Sequence, residues 1–379
     1  MFHRRSETLS HRIVVSRTLT KLMLIDFAAA VLVTQVGVAA LYVVVDLFER
    51  LDIIVRNEVN PGIVGLYFFY KLPFIVYQTV PAATAVALVT TLIQRHRHRE
   101  ILALSAAGVT TQQVAVPFIL AAMLLSLASF VWSEMIVPPS VRTAQELNLR
   151  DIKKRDRRNI LADREIWFRG PTAIYHVSYI DRAAQTLLGV TSYELGEDFS
   201  LATIRYFPEI RWTPNGWAIP GGQSRILLAP EETMASPSDE LNLQLPNRFE
   251  ELAEVQREPE ELSLADLRRQ EHLLKSLGLP ATRLSVELYL KTALPFAPLA
   301  LVLGLIGFNV SLKRSRQLAW SVVGSAAIGF GYWVLLGISS SLGYAGSLPP
   351  VVAAWLANCT YMAAGAAFLV KTELPPKSL

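Results

Sequence analysis

Residues 22–45 read LMLIDFAAAVLVTQVGVAALYVVV, an unbroken apolar run with one ionisable side chain, Asp26, near its start. A helix needs about 20 such residues to cross a hydrocarbon layer. Five further runs follow, at about residues 72–93, 114–137, 288–312, 318–338 and 351–370. None alternates apolar and polar residues as the wall of a membrane barrel does. Six membrane-spanning helices are expected. The first run is too long for the apolar core of a signal peptide, so it reads as a retained helix.

Working outward, the 379-residue chain is 52% apolar and 18% charged, against about 45–50% and about 25% in soluble domains. The shortage of charge argues against a cytosolic enzyme, and the apolar content against a disordered chain. The mean hydropathy of +0.34 is too low for membrane helices alone. Lipid-embedded and water-soluble parts are therefore mixed. The single cysteine, Cys359, excludes an internal disulfide framework and any CxxC metal site.

The net charge of +4 says less than its placement. Arg4, Arg5, Arg12, Arg17 and Lys21 precede the first run; Arg95, Arg97 and Arg99 follow the second. Lys313, Arg314 and Arg316 follow the fourth, and Lys371 and Lys377 the sixth. On the other side only Arg56 stands, thirteen against one with the long central segment excluded. Loops rich in Lys and Arg stay in the cytoplasm. Both termini are expected there, with the segment at about 138–285 on the far side.

The middle of that segment reads as strands: AIYHVSYI at 173–180, LGVTSYEL at 188–195 and residues 200–213 are β-branched and aromatic. TPNGW at 213–217 predicts a hairpin turn, with Asn215-Gly216 supplying positive φ. Gly221-Gly222 marks another turn or bulge. Strands at this spacing predict a sandwich or jelly roll. Residues 142–158 read as a charged helix leading out of the third span. Ser263 to Asp266 resembles a capping box, opening a helix through Leu264, Leu267, Leu274 and Leu277 that Gly278 and Pro280 stop.

Most chemistry is eliminated. The sequence has no GxxxxGK[ST], no HExxH and no GxSxG. His96 and His98 beside Glu100 have the wrong spacing for zinc on one helical face. None of the six histidines falls in an expected span, which removes a His proton relay. The ionisable residues beside the spans are Asp46, Glu49, Arg50, Asp52, Lys71, Glu134, Glu287 and Lys291, all toward the outer side, with Asp26 toward the inner. Charge in lipid is costly and usually functional. They either snorkel and pair with one another or form a rim for an amphiphile's headgroup.

The cytoplasmic loop after the second run is the most informative. REILALSAAG, Arg99 to Gly108, predicts a short amphipathic helix ended by glycine, and Thr110 with Gln113 caps the next helix. Glu100 beside Ile101, Leu102 and Leu104 suits docking in a partner's groove; a surface turn on the membrane is the other reading.

The sequence resembles the LptF/LptG-type permeases of lipopolysaccharide export over essentially its whole length. The resemblance rests on VDLFERLD at 45–52, Pro73 and Pro81, EILALSAAG at 100–108, EMIVP at 134–138, LGL at 277–279 and ELYLKTALPFAP at 287–298. Their order and spacing, with a β insertion after the third helix, carry it. The stretches IWF at 166–168 and AIY at 173–175 look more like the G-type subunit.

The resemblance implies an α+β membrane protein: helices 1–3 in residues 1–137 with a coupling helix at about 96–108, a periplasmic β-jelly roll with flanking helices in 138–285, and helices 4–6 in 286–379. It implies a heterodimer with a paralogous permease and a cytoplasmic ABC ATPase dimer that binds and hydrolyses ATP, this chain holding no cofactor of its own. A membrane-anchored periplasmic jelly-roll accessory protein would continue the path, and nucleic acid plays no part. Lipopolysaccharide would leave the outer leaflet through a cavity between the permeases and pass along the segment at 166–227. Where relatives carry basic cavity residues, this chain has Val43, Phe74 and Gln145. Arg50, Arg56, Lys71, Arg142 and Lys291 are the expected headgroup contacts, with Arg150 nearby. Arg99, Glu100, Ile101, Leu102, Leu104 and Gly108 are the expected ATPase-coupling residues. The rival readings are an ATP-independent lipid or solute transporter and a membrane scaffold for a β domain.

Overall fold

A computed structural model of the chain describes residues 17–152, 166–169, 173–181, 184–195, 201–213, 216–220, 225–228, 259–276, 281–310 and 318–371. They divide into two units, one reaching Gln145 and resuming at Ser285, the other running Glu146–Leu284. Six helices among them are long and apolar enough to cross a membrane: Thr20–Arg56, Pro61–Arg97, Thr111–Met135, Thr282–Asn309, Trp320–Tyr344 and Pro350–Lys371.

In the first unit α1 covers Arg17–Arg56, α2 Pro61–Arg97, α3 Glu100–Ala106, α4 Thr111–Met135 and α5 Val137–Leu147. The second helix starts eleven residues before the expected Leu72. Pro61 supplies the fixed φ that suits a first helical position, and the Asn60 side chain accepts from the Gly62 amide at 2.8 Å. The extra turns carry Tyr67, Phe68, Phe69 and Tyr70, aromatic residues suited to a membrane interface. Its far end reaches Arg97, so His96 lies inside the span, contrary to expectation, with Nε2 3.0 Å from the Asn309 carbonyl. The predicted cap of α4 is present: the Thr110 hydroxyl accepts from the Gln113 amide, and the Gln113 side chain accepts from the Thr110 amide.

The expected continuous fourth helix is broken. It runs as α7 (Thr282–Ala293), a 3₁₀ turn (Leu294–Phe296) and α8 (Ala297–Val310). Pro295 has no amide hydrogen and its ring obstructs the preceding turn. The Ala297 amide bonds back to Leu294, and the Ala293 carbonyl at the start of the turn also takes a side chain. Asn358 donates to it at 2.7 Å, and the Tyr332 hydroxyl donates to Asn358 at 2.8 Å. Both partners come from the last two spans, α9 (Leu318–Tyr344) and α10 (Pro350–Lys371).

Side chains of α7 to α10 form one buried cluster around Val286, Leu301, Tyr332 and Ala357. A second joins Met23 and Phe27 of α1 to Leu88 and Leu92 of α2, Ile101 of α3, Phe118 of α4 and Leu305 of α8. Against α8, α10 comes so close that a Cβ on Gly365 would lie 2.2 Å from the Leu303 carbonyl oxygen. By contrast, only 6% of the most apolar stretch of α1 is buried within the chain.

The second unit holds one six-stranded antiparallel sheet in the order β1-β2-β3-β4-β5, with β6 also on β4. The strands are β1 Ile166–Arg169, β2 Ala173–Asp181, β3 Thr186–Leu195, β4 Leu201–Thr213, β5 Gly216–Ala218 and β6 Arg225–Leu228. Ala173, Tyr175 and Val177 are buried and the residues between them less so, the period of two that the sequence shows. Thr213 faces Gly216 across the predicted hairpin, and Gly216 has φ +111°. The second sheet that a jelly roll needs is not found among the described residues; Gly221 and Gly222 lie outside them. The helix α6 (Leu264–Ser276) opens with the expected box, Ser263 and Asp266 each accepting the other's amide. Leu277, Gly278 and Pro280 lie outside the described residues. The expected helix at 142–158 is α5 and a π-helical turn, Asn148–Ile152, with 153–158 likewise outside.

Backbone, which cannot yield, blocks any side chain at position 365. Gly365→Ala should lower stability by about 1–3 kcal/mol, the usual cost of overpacking, read as a lower thermal midpoint in detergent. Gly337→Ala, where nothing lies within 4 Å of the added carbon, should leave the midpoint unchanged.

Candidate functional site

The turn from α2 into α3 uses a left-handed residue, Arg99 at φ +59°. The helix then ends as predicted at Gly108, φ +84°. The Gly108 amide donates to Ser105 O, and the Val109 amide to Leu104 O at 3.0 Å, the paired bonds of a Schellman end. Short as it is, α3 is held by tertiary contacts. Ile101 is 5% exposed and sits in the cluster with Met23, Phe27 and Phe118, and Leu104 and Val109 pack against the same cluster.

That placement corrects the sequence reading of α3. Ile101 and Leu104, three residues apart, share the face turned to the chain's own core. Of the three apolar residues expected at a partner, Leu102 alone is well exposed, at 64%. Glu100 is exposed as expected, and so are Arg99 and Gly108.

Glu100 is engaged from behind. Arg95, on the last turns of α2, has a side chain only 5% exposed, and its Nη1 lies 2.7 Å from Glu100 Oε2. Its Nη2 lies 2.6 Å from Asp26 Oδ2 on α1. One buried guanidinium therefore joins two half-exposed carboxylates from two elements. Sequence reasoning kept Asp26 and Arg95 apart, one as a lone acid in an apolar run and the other as part of a basic loop. The usable signal was that α2 keeps its helical pattern through Arg95.

Toward the other end of the spans, Asp46 is the buried anchor. Its Oδ2 accepts from Lys71 Nζ at 2.7 Å and its Oδ1 from Arg50 Nε at 3.2 Å. Both cations also sit over the Tyr67 ring, at 5.0 Å for Arg50 and 5.5 Å for Lys71. Of the expected headgroup residues, the structure brings these two together, and it does so by pairing them within the chain. Arg56 pairs with Asp52 on the exposed end of α1, Lys291 approaches Glu134 at 4.0 Å, and Arg142 lies half-buried on α5. Arg150 is open, 87% exposed. No group of three or more His, Cys, Asp or Glu among the described residues could hold a metal.

Removing one partner of a buried pair typically costs about 3–5 kcal/mol. Asp46→Asn should lower the thermal midpoint in detergent by that order, because it takes the carboxylate from the buried Lys71 ammonium. Adding Lys71→Met should recover part of the loss; equal midpoints for the single and double variants would show that Lys71 is not held by the carboxylate.

The family described as lipopolysaccharide export system permease LptF/LptG matches residues 21–371. Lipopolysaccharide export system permease protein LptG of Escherichia coli K12 is 22% identical over 299 residues, 78% of this chain and 82% of that protein. The protein of the same name from Escherichia coli O6:H1 gives the same values. The family match runs from the start of α1 to the end of α10 and takes in both charged clusters and the sheet, so the chain belongs to the LptF/LptG family of lipopolysaccharide export permeases.

Proposed function

We propose that this permease is one membrane subunit of an ABC exporter that takes lipopolysaccharide from the outer leaflet of the inner membrane. It passes the lipid to a periplasmic β-jelly-roll path toward the outer membrane. A separate cytoplasmic ATPase dimer drives it and holds the ATP, because the sequence has no P-loop. A paralogous permease completes the cavity, and a membrane-anchored jelly-roll protein receives the lipid. The asymmetry of Lys and Arg supports cytoplasmic termini and a periplasmic sheet. The similarity to two LptG proteins favours the G-type subunit.

The observation that carries the reading is α3. It is a seven-residue helix fixed to the membrane unit by Ile101 and Leu104, with Glu100 and Leu102 left outward. An outward carboxylate beside one exposed leucine suits a basic and apolar groove on an ATPase. Of the headgroup candidates, Arg50 and Lys71 share Asp46 within the chain.

A charged hydrogen bond contributes about 1.5–3 kcal/mol, so Glu100→Lys should cut the ATPase co-purified with the permease pair about tenfold or more. Leu102→Asp should do the same without touching any packed residue. Undiminished co-purification of both variants would refute docking at α3. Arg50→Glu with Arg56→Glu should reduce photocrosslinking of lipopolysaccharide to the outer end of α1; unchanged yield would make these residues structural.

A further inference from the structure

Among the described residues of the membrane unit, Asp46 and Arg95 are the two charged side chains whose residues are less than a tenth exposed. Burying a guanidinium carries a penalty of several kcal/mol, which one well-placed carboxylate can offset. Arg95 has two, from different elements: Asp26 on α1 at 2.6 Å and Glu100 on α3 at 2.7 Å. It belongs itself to α2. The second carboxylate exceeds what neutrality requires, and it links elements that are not consecutive in the chain.

The apolar contacts run in parallel. Ile101 shares a cluster with Met23 and Phe27, which flank Asp26 on α1. The most apolar stretch of α1 is little buried within the chain, so this end is one of the two places where charge ties α1 to α2, the Asp46–Lys71 pair being the other. The other polar ties of α1 to α2 lie farther along, where Thr34 Oγ1 is 3.0 Å from the Ala83 carbonyl, Gln35 Nε2 is 2.7 Å from Thr79 Oγ1 and Asp46 Oδ2 is 2.7 Å from Lys71 Nζ. A displacement of α3 therefore reaches α1 by two routes, one ionic and one apolar.

Charge counting indicates how the ionic route behaves when a partner docks. Two carboxylates and one guanidinium leave a net negative charge. Glu100, whose side chain is 45% exposed, can accept a cation from outside without releasing Arg95. The link thus persists through docking and is not exchanged for it.

We propose that Asp26 and Arg95 are positioning residues that transmit the movement of α3 to α1, so that ATP-driven motion at Glu100 acts on the helix along the lipid path. The proposal rests on the reading of α3 as the ATPase contact. Asp26 acts through Arg95 and touches neither nucleotide nor lipid.

The test uses the complete complex, permease pair with ATPase, in proteoliposomes carrying lipopolysaccharide. Three quantities are read for each variant: ATPase bound, ATP hydrolysed and lipopolysaccharide extracted per ATP. Asp26→Asn keeps the size of the side chain and leaves Arg95 paired with Glu100. It should retain the ATPase and its hydrolysis while lowering lipid extracted per ATP about fivefold or more, the scale of a coupling free energy between sites. Arg95→Lys should behave alike, since a lysine lacks the fork that grips two carboxylates. Asp26→Glu should restore the ratio. An unchanged lipid-to-ATP ratio in both Asp26→Asn and Arg95→Lys, with Glu100→Lys still stripping the ATPase, overturns the link and leaves the docking reading intact. Full ATPase retention in Glu100→Lys overturns both. A parallel loss of bound ATPase in Asp26→Asn that Asp26→Glu fails to reverse also overturns the proposal, because it marks a merely structural pair.

Discussion

A peptide group surrounded by hydrocarbon has no water to bond, so its partner must come from within the protein. The membrane unit is arranged around that constraint. Where Pro295 interrupts the fourth span the chain tightens into a 3₁₀ turn, and Asn358 and Tyr332 from two other spans bond in series onto the Ala293 carbonyl at its start. Those side chains fix α7, α9 and α10 to one another at the break. Charge obeys the same rule more severely. Asp46 and Arg95 are each buried with two opposite charges within hydrogen-bond reach.

Close packing supplies what the hydrophobic effect cannot supply between helices in lipid, where the tails are as apolar as leucine. Gly365 lets α10 lie on the backbone of α8, and rings fill nearby space, Tyr361 against Gly304 and Phe368 against Gly307. The polar junction at Asn309, whose side chain bonds Leu305 O and Ser325, ties α8 to α9. Together they make α7 to α10 a dense block. The sheet of the second unit is built by ordinary means, alternation and ladder bonds, and owes nothing to these devices.

Features decided by neighbours in sequence were legible. The six spans followed from apolar length, the capping boxes at Thr110 and Ser263 from three-residue spacing, and the stop of α3 from Gly108. Strands β2, β3 and β4 followed from the β-branched and aromatic runs at 173–180, 188–195 and 200–213. Features decided by distant residues were not. The start of α2 was hidden because Tyr67 to Tyr70 reads as a mixed aromatic stretch, not as a span. Pro295 was visible, but its remedy, Asn358, lies sixty-three positions on. Ile101 and Leu104 were assigned to a partner because a short amphipathic helix does not say which protein owns its apolar face. The union of Asp26, Arg95 and Glu100 required three elements to be placed at once.

The contrast between α1 and the rest has a mechanical meaning. Interhelical hydrogen bonds in membranes are worth about 0.6 kcal/mol on average, and α1 meets α2 through a few of them at Thr34 and Gln35. Stronger ties stand toward its two ends, Asp26 with Arg95 and Asp46 with Lys71, while the block behind is interlocked backbone to backbone. The unit therefore has a stiff spine and one stave pinned at both ends. A stave held in that way gives by bending between its pins and not by sliding as a whole.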